Sequence, residues 1–168
     1  MGTNGKIVVG VDGSEAGVAA LHWALGEARR RGAEVHAVTA WHMDPPIEGP
    51  PPMFGIPYRA KEVVLAEQQA QQDKAMARIE NETRGVRVHR HMIDQWPPQA
   101  LVHMSAGADL LVVGRHGQSW LSETLLGSVS AYCVRHASCP VVVIPAHKPV
   151  EQHERHMVAA PATPGPLY

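Results

Sequence analysis

The stretch Asp109-Leu-Leu-Val-Val-Gly114-Arg-His-Gly117, continued through residues 118–126 to Gly127-Ser-Val-Ser130, decides the fold. Its apolar run over residues 110–113 has the length and β-branched content of a buried strand, and it stops at a glycine. From Gly127 onward, Val129, Tyr132, Cys133 and His136 recur at helical spacing and open a helix. A strand that runs through a glycine loop into a helix N-terminus is suited to holding anions. Glycine lets the backbone approach a ligand closely, and the first N–H groups of the helix are unpaired and point outward. A hydroxyl at the cap, from Ser128 or Ser130, adds a further hydrogen bond. The plain alternative is a surface loop with turn glycines. Three glycines set between a buried strand and a capped helix speak against it.

Working outward, Lys6-Ile-Val-Val-Gly-Val-Asp12 reads as a strand by its β-branched run. Gly13-Ser14 follows, with Ser14 placed as an N-cap. Val18, Leu21, His22, Leu25 and Ala28 then recur at helical spacing. Arg29-Arg-Arg31 suit the negative end of the helix dipole, and Gly32 ends the helix. Glu34–Trp41 is a second strand, and a proline-rich loop over residues 42–57 is long enough to be functional or mobile. Residues 59–84, rich in Ala, Gln, Glu and Lys, predict one long helix ended by Gly85. Residues 86–93 form a third, more polar strand expected at a sheet edge. Pro97-Pro98 start a short helix through Ala106, with Gly107 as its stop. After the glycine loop comes a helix over residues 129–137. Pro140 then leads into a fifth strand, Val141–Ile144.

Strands alternating with helices imply right-handed crossovers and a parallel sheet covered on both faces. In such sheets ligands sit beyond the C-terminal strand ends, where the strand order reverses. The expected fold is therefore α/β, a single doubly wound domain over residues 1–146. Residues 147–168, rich in Pro, His and small side chains without periodicity, are expected to be a disordered tail.

Two common nucleotide-binding readings fail on residues. No Gly-x-x-x-x-Gly-Lys-Ser/Thr string occurs, and no lysine lies between Asp109 and Ser130. The first strand's Gly10-Val-Asp-Gly13-Ser-Glu-Ala-Gly17 has the wrong spacing for a dinucleotide fingerprint. The second strand ends in Trp41-His42 without the ribose-binding acid.

The chain resembles the universal stress protein family, in its nucleotide-binding branch. Gly114, Gly117, Gly127 and Ser128 fit that family's Gly-x2-Gly-x9-Gly-Ser/Thr loop at every position. Val9-Gly-Val-Asp-Gly-Ser14-Glu is similar to its first strand and turn. Leu126-Gly-Ser-Val-Ser130 through His136-Ala-Ser-Cys-Pro140-Val-Val-Val-Ile144 is similar to its last helix and strand. The resemblance spans about residues 5–146. It implies a five-stranded parallel sheet in the order 3-2-1-4-5 with helices on both faces, and ATP as the usual ligand. It also implies that Gly127, Ser128 and Val129 hold phosphates, with Ser130 a further hydroxyl. Gly114 and Gly117, following Val113, would face the ribose and α-phosphate region. Asp12 would lie near the ribose or a divalent cation, Mg or Mn, and Val11 would flank the adenine. Ala40 would contact the adenine edge through its backbone. An arginine is often seen two residues after the loop's first glycine. Here that position is His116, with Arg115 beside it, so AMP and cyclic AMP stay open next to ATP.

The implied protein is an ATP-binding sensor or regulator of the stress response with an unidentified protein partner. It is not a dedicated enzyme and carries at most slow ATP hydrolysis. A slow ATPase or phosphotransferase, and a nucleotide-free interaction module, are the rival readings. The resemblance and the short, uncharged run Val141–Ile144 at a sheet edge together point to a homodimer through that strand.

Composition sets the remaining bounds. A chain of 168 residues with net charge −1 gives no ground for a nucleic-acid partner. No apolar stretch approaches the ~20 residues of a membrane span. The N-terminus carries no apolar run, and the cysteines, Cys133 and Cys139, are too few for a disulfide framework, so a cytoplasmic location is expected. The remaining candidates are weaker. His89 and His91 share one strand face, and His153 and His156 lie in the tail. Neither pair has a Cys or an acid at ligand spacing in the sequence. Trp41, Met43 and Met53 border the proline-rich loop and are candidates to pack over the adenine.

Overall fold

The computed structural model describes residues 5–42, 60–115 and 126–145. In chain order they form β1 (Lys6–Gly10), α1 (Glu15–Arg31), β2 (Glu34–Trp41), α2 (Lys61–Ala77), a 3-10 turn (Glu80–Glu82), β3 (Val88–Asp94), α3 (Pro97–Met104), β4 (Leu110–Gly114), α4 (Ser128–His136) and β5 (Val141–Ile144). The strands build one sheet in the order β3-β2-β1-β4-β5, parallel throughout. This is the expected doubly wound α/β fold, with its reversal between β1 and β4. The proline-rich loop and the tail lie outside the described residues.

Strand alternation divides the core in two. Ile7, Val9, Val35 and Val112 face α1 and α2, where Leu21, Leu25 and Ala75 meet them. Val8, Val38, Leu111 and Val113 face α3 and α4, where Leu101 and Cys133 close the other layer. The central strands β1 and β4 are buried on both sides, so they read in the sequence as continuous apolar runs.

Local chemistry sets the element ends. Ser14 Oγ accepts from the Gly17 N–H at 3.0 Å and caps α1, and Gly32 leaves the helix in the left-handed region at φ 65°. The predicted long second helix is shorter than expected. It stops at Ala77, and Gly85 (φ 81°) belongs to the turn before β3. The cause is Ile79, which leaves helical geometry (φ −121°, ψ 12°) and is 3% exposed in the core. Arg78 just before it donates to Glu15 of α1 from Nη1 and Nη2 at 2.7 and 2.9 Å. Burying Ile79 and pairing Arg78 outweigh the helix propensity of the next few residues.

Candidate functional site

A cavity of about 410 Å³ opens where the sheet order reverses, at the C-terminal ends of β1, β2 and β4. On one side the turn after β1 supplies Val11 and Asp12, and β2 supplies Ala40. On the other, Val113 and Gly114 end β4, and Gly127, Ser128, Val129 and Ser130 form the N-terminus of α4. Nine sequence-derived candidates thus meet at one opening. His116 and Gly117 lie outside the described residues.

The turn after β1 is locked by its own side chains. Asp12 Oδ1 accepts from the Ser14 N–H at 3.0 Å and from Ser14 Oγ at 2.6 Å, and Ser14 in turn caps α1. Thr39 Oγ1 donates to the Val11 carbonyl at 2.8 Å, which fixes the turn against β2. Asp12 therefore serves the turn as well as facing the cavity.

The expected hydroxyl cap from Ser128 or Ser130 is not what begins α4. Gly127 is the N-cap and provides no side-chain cap, and Ser128 is the first helical residue. Ser130 is 1% exposed, and its hydroxyl lies 2.9 Å from the Arg115 carbonyl and 3.0 Å from that of Gly127. That hydroxyl ties the two ends of the loop together, so it is a brace before it is a ligand donor. The Gly127 N–H also bonds the Arg115 carbonyl at 2.8 Å. Gly127 sits at φ −61°, ψ 160°, a conformation open to any residue. The lack of a side chain there answers no backbone strain.

Several wall residues were not singled out from the sequence. Gly10, Val38 and Leu101 give the floor its apolar surface, and Gln68 and Pro97 line the rim. Arg115 also lines it, and its Nε is buried with no hydrogen-bond partner among the described residues. Arg115 was legible as a charge beside the loop, but its orphaned nitrogen was not. Trp41, by contrast, does not line the cavity. Alternation along β2 turns it to the face opposite Ala40, where it is 6% exposed and carries Lys61 Nζ 5.5 Å from its ring centre. Cys133 is fully buried in the α3–α4 layer, and burial pushes its thiol up to about 11, so it is packing and not a nucleophile.

A doubly wound parallel sheet with a helix N-terminus and a glycine turn facing each other across the strand-order reversal defines an α/β protein with its ligand crevice at the switch point. The chain matches the model of the universal stress protein family over residues 3–145 and belongs to that family. It is 37% identical over 137 residues to universal stress protein Rv2005c of Mycobacterium tuberculosis, covering 82% of this chain and 44% of that protein. The chain thus spans about half the length of the curated mycobacterial relatives it matches. Universal stress protein MJ0531 of Methanocaldococcus jannaschii is 29% identical over 144 residues, covering 83% of this chain and 81% of that one. Among solved structures, a universal stress protein crystallised in complex with cAMP superimposes with a TM-score of 0.63 at 26% identity, covering 87% of this chain and all of the other.

Proposed function

We propose that the crevice binds an adenine nucleotide, with ATP as the ligand and AMP and cyclic AMP as its competitors, and that the protein works as a nucleotide-dependent sensor or regulator in the stress response. One observation carries the reading. The open N-terminus of α4, with Gly127, Ser128 and Val129, faces the Val11–Asp12 turn across a cavity of about 410 Å³, the size of a small-molecule site. The Arg115 guanidinium among the lining side chains suits the same anionic ligand. The relative crystallised with cAMP supports adenine as the base. A Mg or Mn ion arriving with ATP would share the Asp12 carboxylate with the Ser14 cap.

Turnover is expected to be slow. The loop has no lysine, and no described residue stands out to orient an attacking water, two recurring parts of phosphoryl-transfer sites. Gripping phosphates equally in ground and transition state does not speed the chemical step. The experiment pairs identification of any nucleotide released from boiled protein with a binding titration and single-turnover ATP hydrolysis. Gly127→Glu places a carboxylate where phosphate oxygens must pass, so it abolishes binding while the circular dichroism spectrum stays native. A Gly127→Glu protein that binds like wild type removes the crevice assignment. Wild-type hydrolysis at ~1 s⁻¹ or faster, the range of working enzymes, replaces the sensor with an enzyme.

A further inference from the structure

Away from the crevice, the pairing of β2 with β3 gathers a second set of side chains. Glu34 and His36 stand two residues apart on β2, and His89 and His91 two apart on β3, so each pair shares a face. His36 and His89 are register partners, which brings the two pairs onto the same face, the one that carries Val38 and Ile93. The group lies four residues back along β2 from Ala40, or ~13 Å from the crevice by strand rise.

The contacts within it are close. His89 Nε2 lies 3.1 Å from Glu34 Oε2, and His36 Nδ1 lies 3.0 Å from His91 Nε2. The His36 ring stacks on His89 with centroids 4.7 Å apart, and lies nearly parallel to the His91 ring with centroids 5.1 Å apart, as the edge-to-edge nitrogen contact requires. One donor atom from each of Glu34, His36 and His89 lies within 4.8 Å of the other two. Two imidazoles and one carboxylate are a zinc-binding set, and tetrahedral ligands at 2.0–2.2 Å from the ion stand about 3.3 Å from one another. The His89–Glu34 pair already has that spacing. Closing the remaining distance takes a rotamer adjustment of side chains that are 41% exposed at His89 and 23% at Glu34.

We propose that Glu34, His36 and His89 hold a divalent transition-metal ion, best matched by Zn²⁺, with water completing its shell and His91 as a positioning residue that orients the His36 ring. In this arrangement the His36 Nδ1–H donates to His91 Nε2 and leaves the lone pair of His36 Nε2 for the ion, the role partners beyond the ligands play in metal sites. Two cations face the group. Arg87 Nη1 lies 3.2 Å from Glu34 Oε2, but its side chain is 67% exposed and free to swing into solvent when the ion enters. Lys6 is held away by its bond to the Met104 carbonyl at 2.6 Å.

The test is Zn²⁺ titration by calorimetry on the untagged full chain, with Co²⁺ absorption as a report on geometry. The expected result is one ion per chain at a Kd in the micromolar range or below, with the intense visible bands of low-coordinate Co²⁺. His89→Ala and Glu34→Gln each weaken binding at least about tenfold and erase those bands. His91→Gln retains one ion per chain but shifts the Co²⁺ spectrum. Circular dichroism melts confirm that each variant is folded. Should His89→Ala fail to fold, the near-isosteric Glu34→Gln decides the matter alone. The proposal falls if wild type takes up no ion at that affinity, or if Glu34→Gln binds like wild type. It also falls if binding survives the cluster variants but disappears in Asp12→Asn or in the double variant His153→Ala/His156→Ala, which would move the ion to the crevice or the tail.

Discussion

Gly114 and Gly127 stand in the same sequence motif, yet the structure gives them different work. A Cβ on Gly114 would lie 2.8 Å from the Cβ of Ala16 and 2.9 Å from its carbonyl carbon. Gly114 is therefore what allows α1 to rest on the end of β4, independently of any ligand. Gly114→Ala forces helix and strand apart and is expected to cost ~1–3 kcal/mol, the usual range for overpacking. A urea unfolding midpoint measures this, and a wild-type midpoint would show that the contact yields at no cost. Gly127→Glu should leave the same midpoint almost unmoved, since its backbone angles are open to any residue. The motif's spacing was readable from the sequence. The division of labour between its glycines was not, because Ala16 reaches Gly114 only once α1 has packed. The same holds for Ser130, which reads as a phosphate hydroxyl and, while lining the cavity, also lies within bonding distance of the Arg115 and Gly127 carbonyls.

At the level of elements, α2 shows where sequence periodicity stops informing. Its Ala/Gln/Glu/Lys composition reads as a helix and singles out no buried polar residue. Yet Gln72 is 1% exposed. Its Nε2 donates to Thr39 Oγ1 at 2.9 Å and to the His91 carbonyl at 3.2 Å, and its Oε1 accepts from Arg90 Nε at 2.9 Å. Because Thr39 bonds onward to Val11, one glutamine joins α2 through β2 to the turn at the crevice and to β3. A buried glutamine in a polar helix carries no sequence signal, since its partners lie on strands far along the chain. Gln72→Leu keeps the volume but leaves the His91 carbonyl and Arg90 with one partner fewer. It is expected to cost ~1–3 kcal/mol, read as a lower melting temperature. A melting temperature equal to wild type would mean that water or a shift of Arg90 replaces these bonds. The strands and caps were legible because their signals are local: β-branched runs, Ser14 before α1, Gly32 after it. The end of α2 was not, because Ile79 leaves the helix for a core that only the folded sheet provides.

For the molecule as a whole, the strand order 3-2-1-4-5 followed from the family's motifs, and with it the location of the crevice. The grouping of Glu34 and His36 with His89 and His91 did not, because it depends on the register of β2 against β3. The same topology leaves two open edges, and they differ in kind. β3 carries Arg90 and its histidines among exposed and half-buried residues, the polar protection usual for an edge that stays open. β5 is Val141–Ile144, four half-buried apolar residues without a charge.

We expect β5 to pair with its counterpart in a second copy across a two-fold axis, which satisfies the unpaired backbone groups of both. The register decides which residue tests this. The Leu111 N–H bonds the Pro140 carbonyl at 3.0 Å, and the Arg115 N–H bonds that of Ile144 at 2.7 Å. Alternation along the strand then turns the backbone groups of Val142 inward to β4 and those of Val141 and Val143 out to the open edge. A proline at Val142 would thus strike the protein's own sheet. Val143→Pro removes a donor from the outward side and should turn a dimer into a monomer in light scattering, with the far-ultraviolet circular dichroism of a folded sheet retained. A wild-type chain that scatters as a monomer ends the dimer proposal. A Val143→Pro protein that remains dimeric places the interface on another surface, and the apolar edge of β5 would then need a different cover.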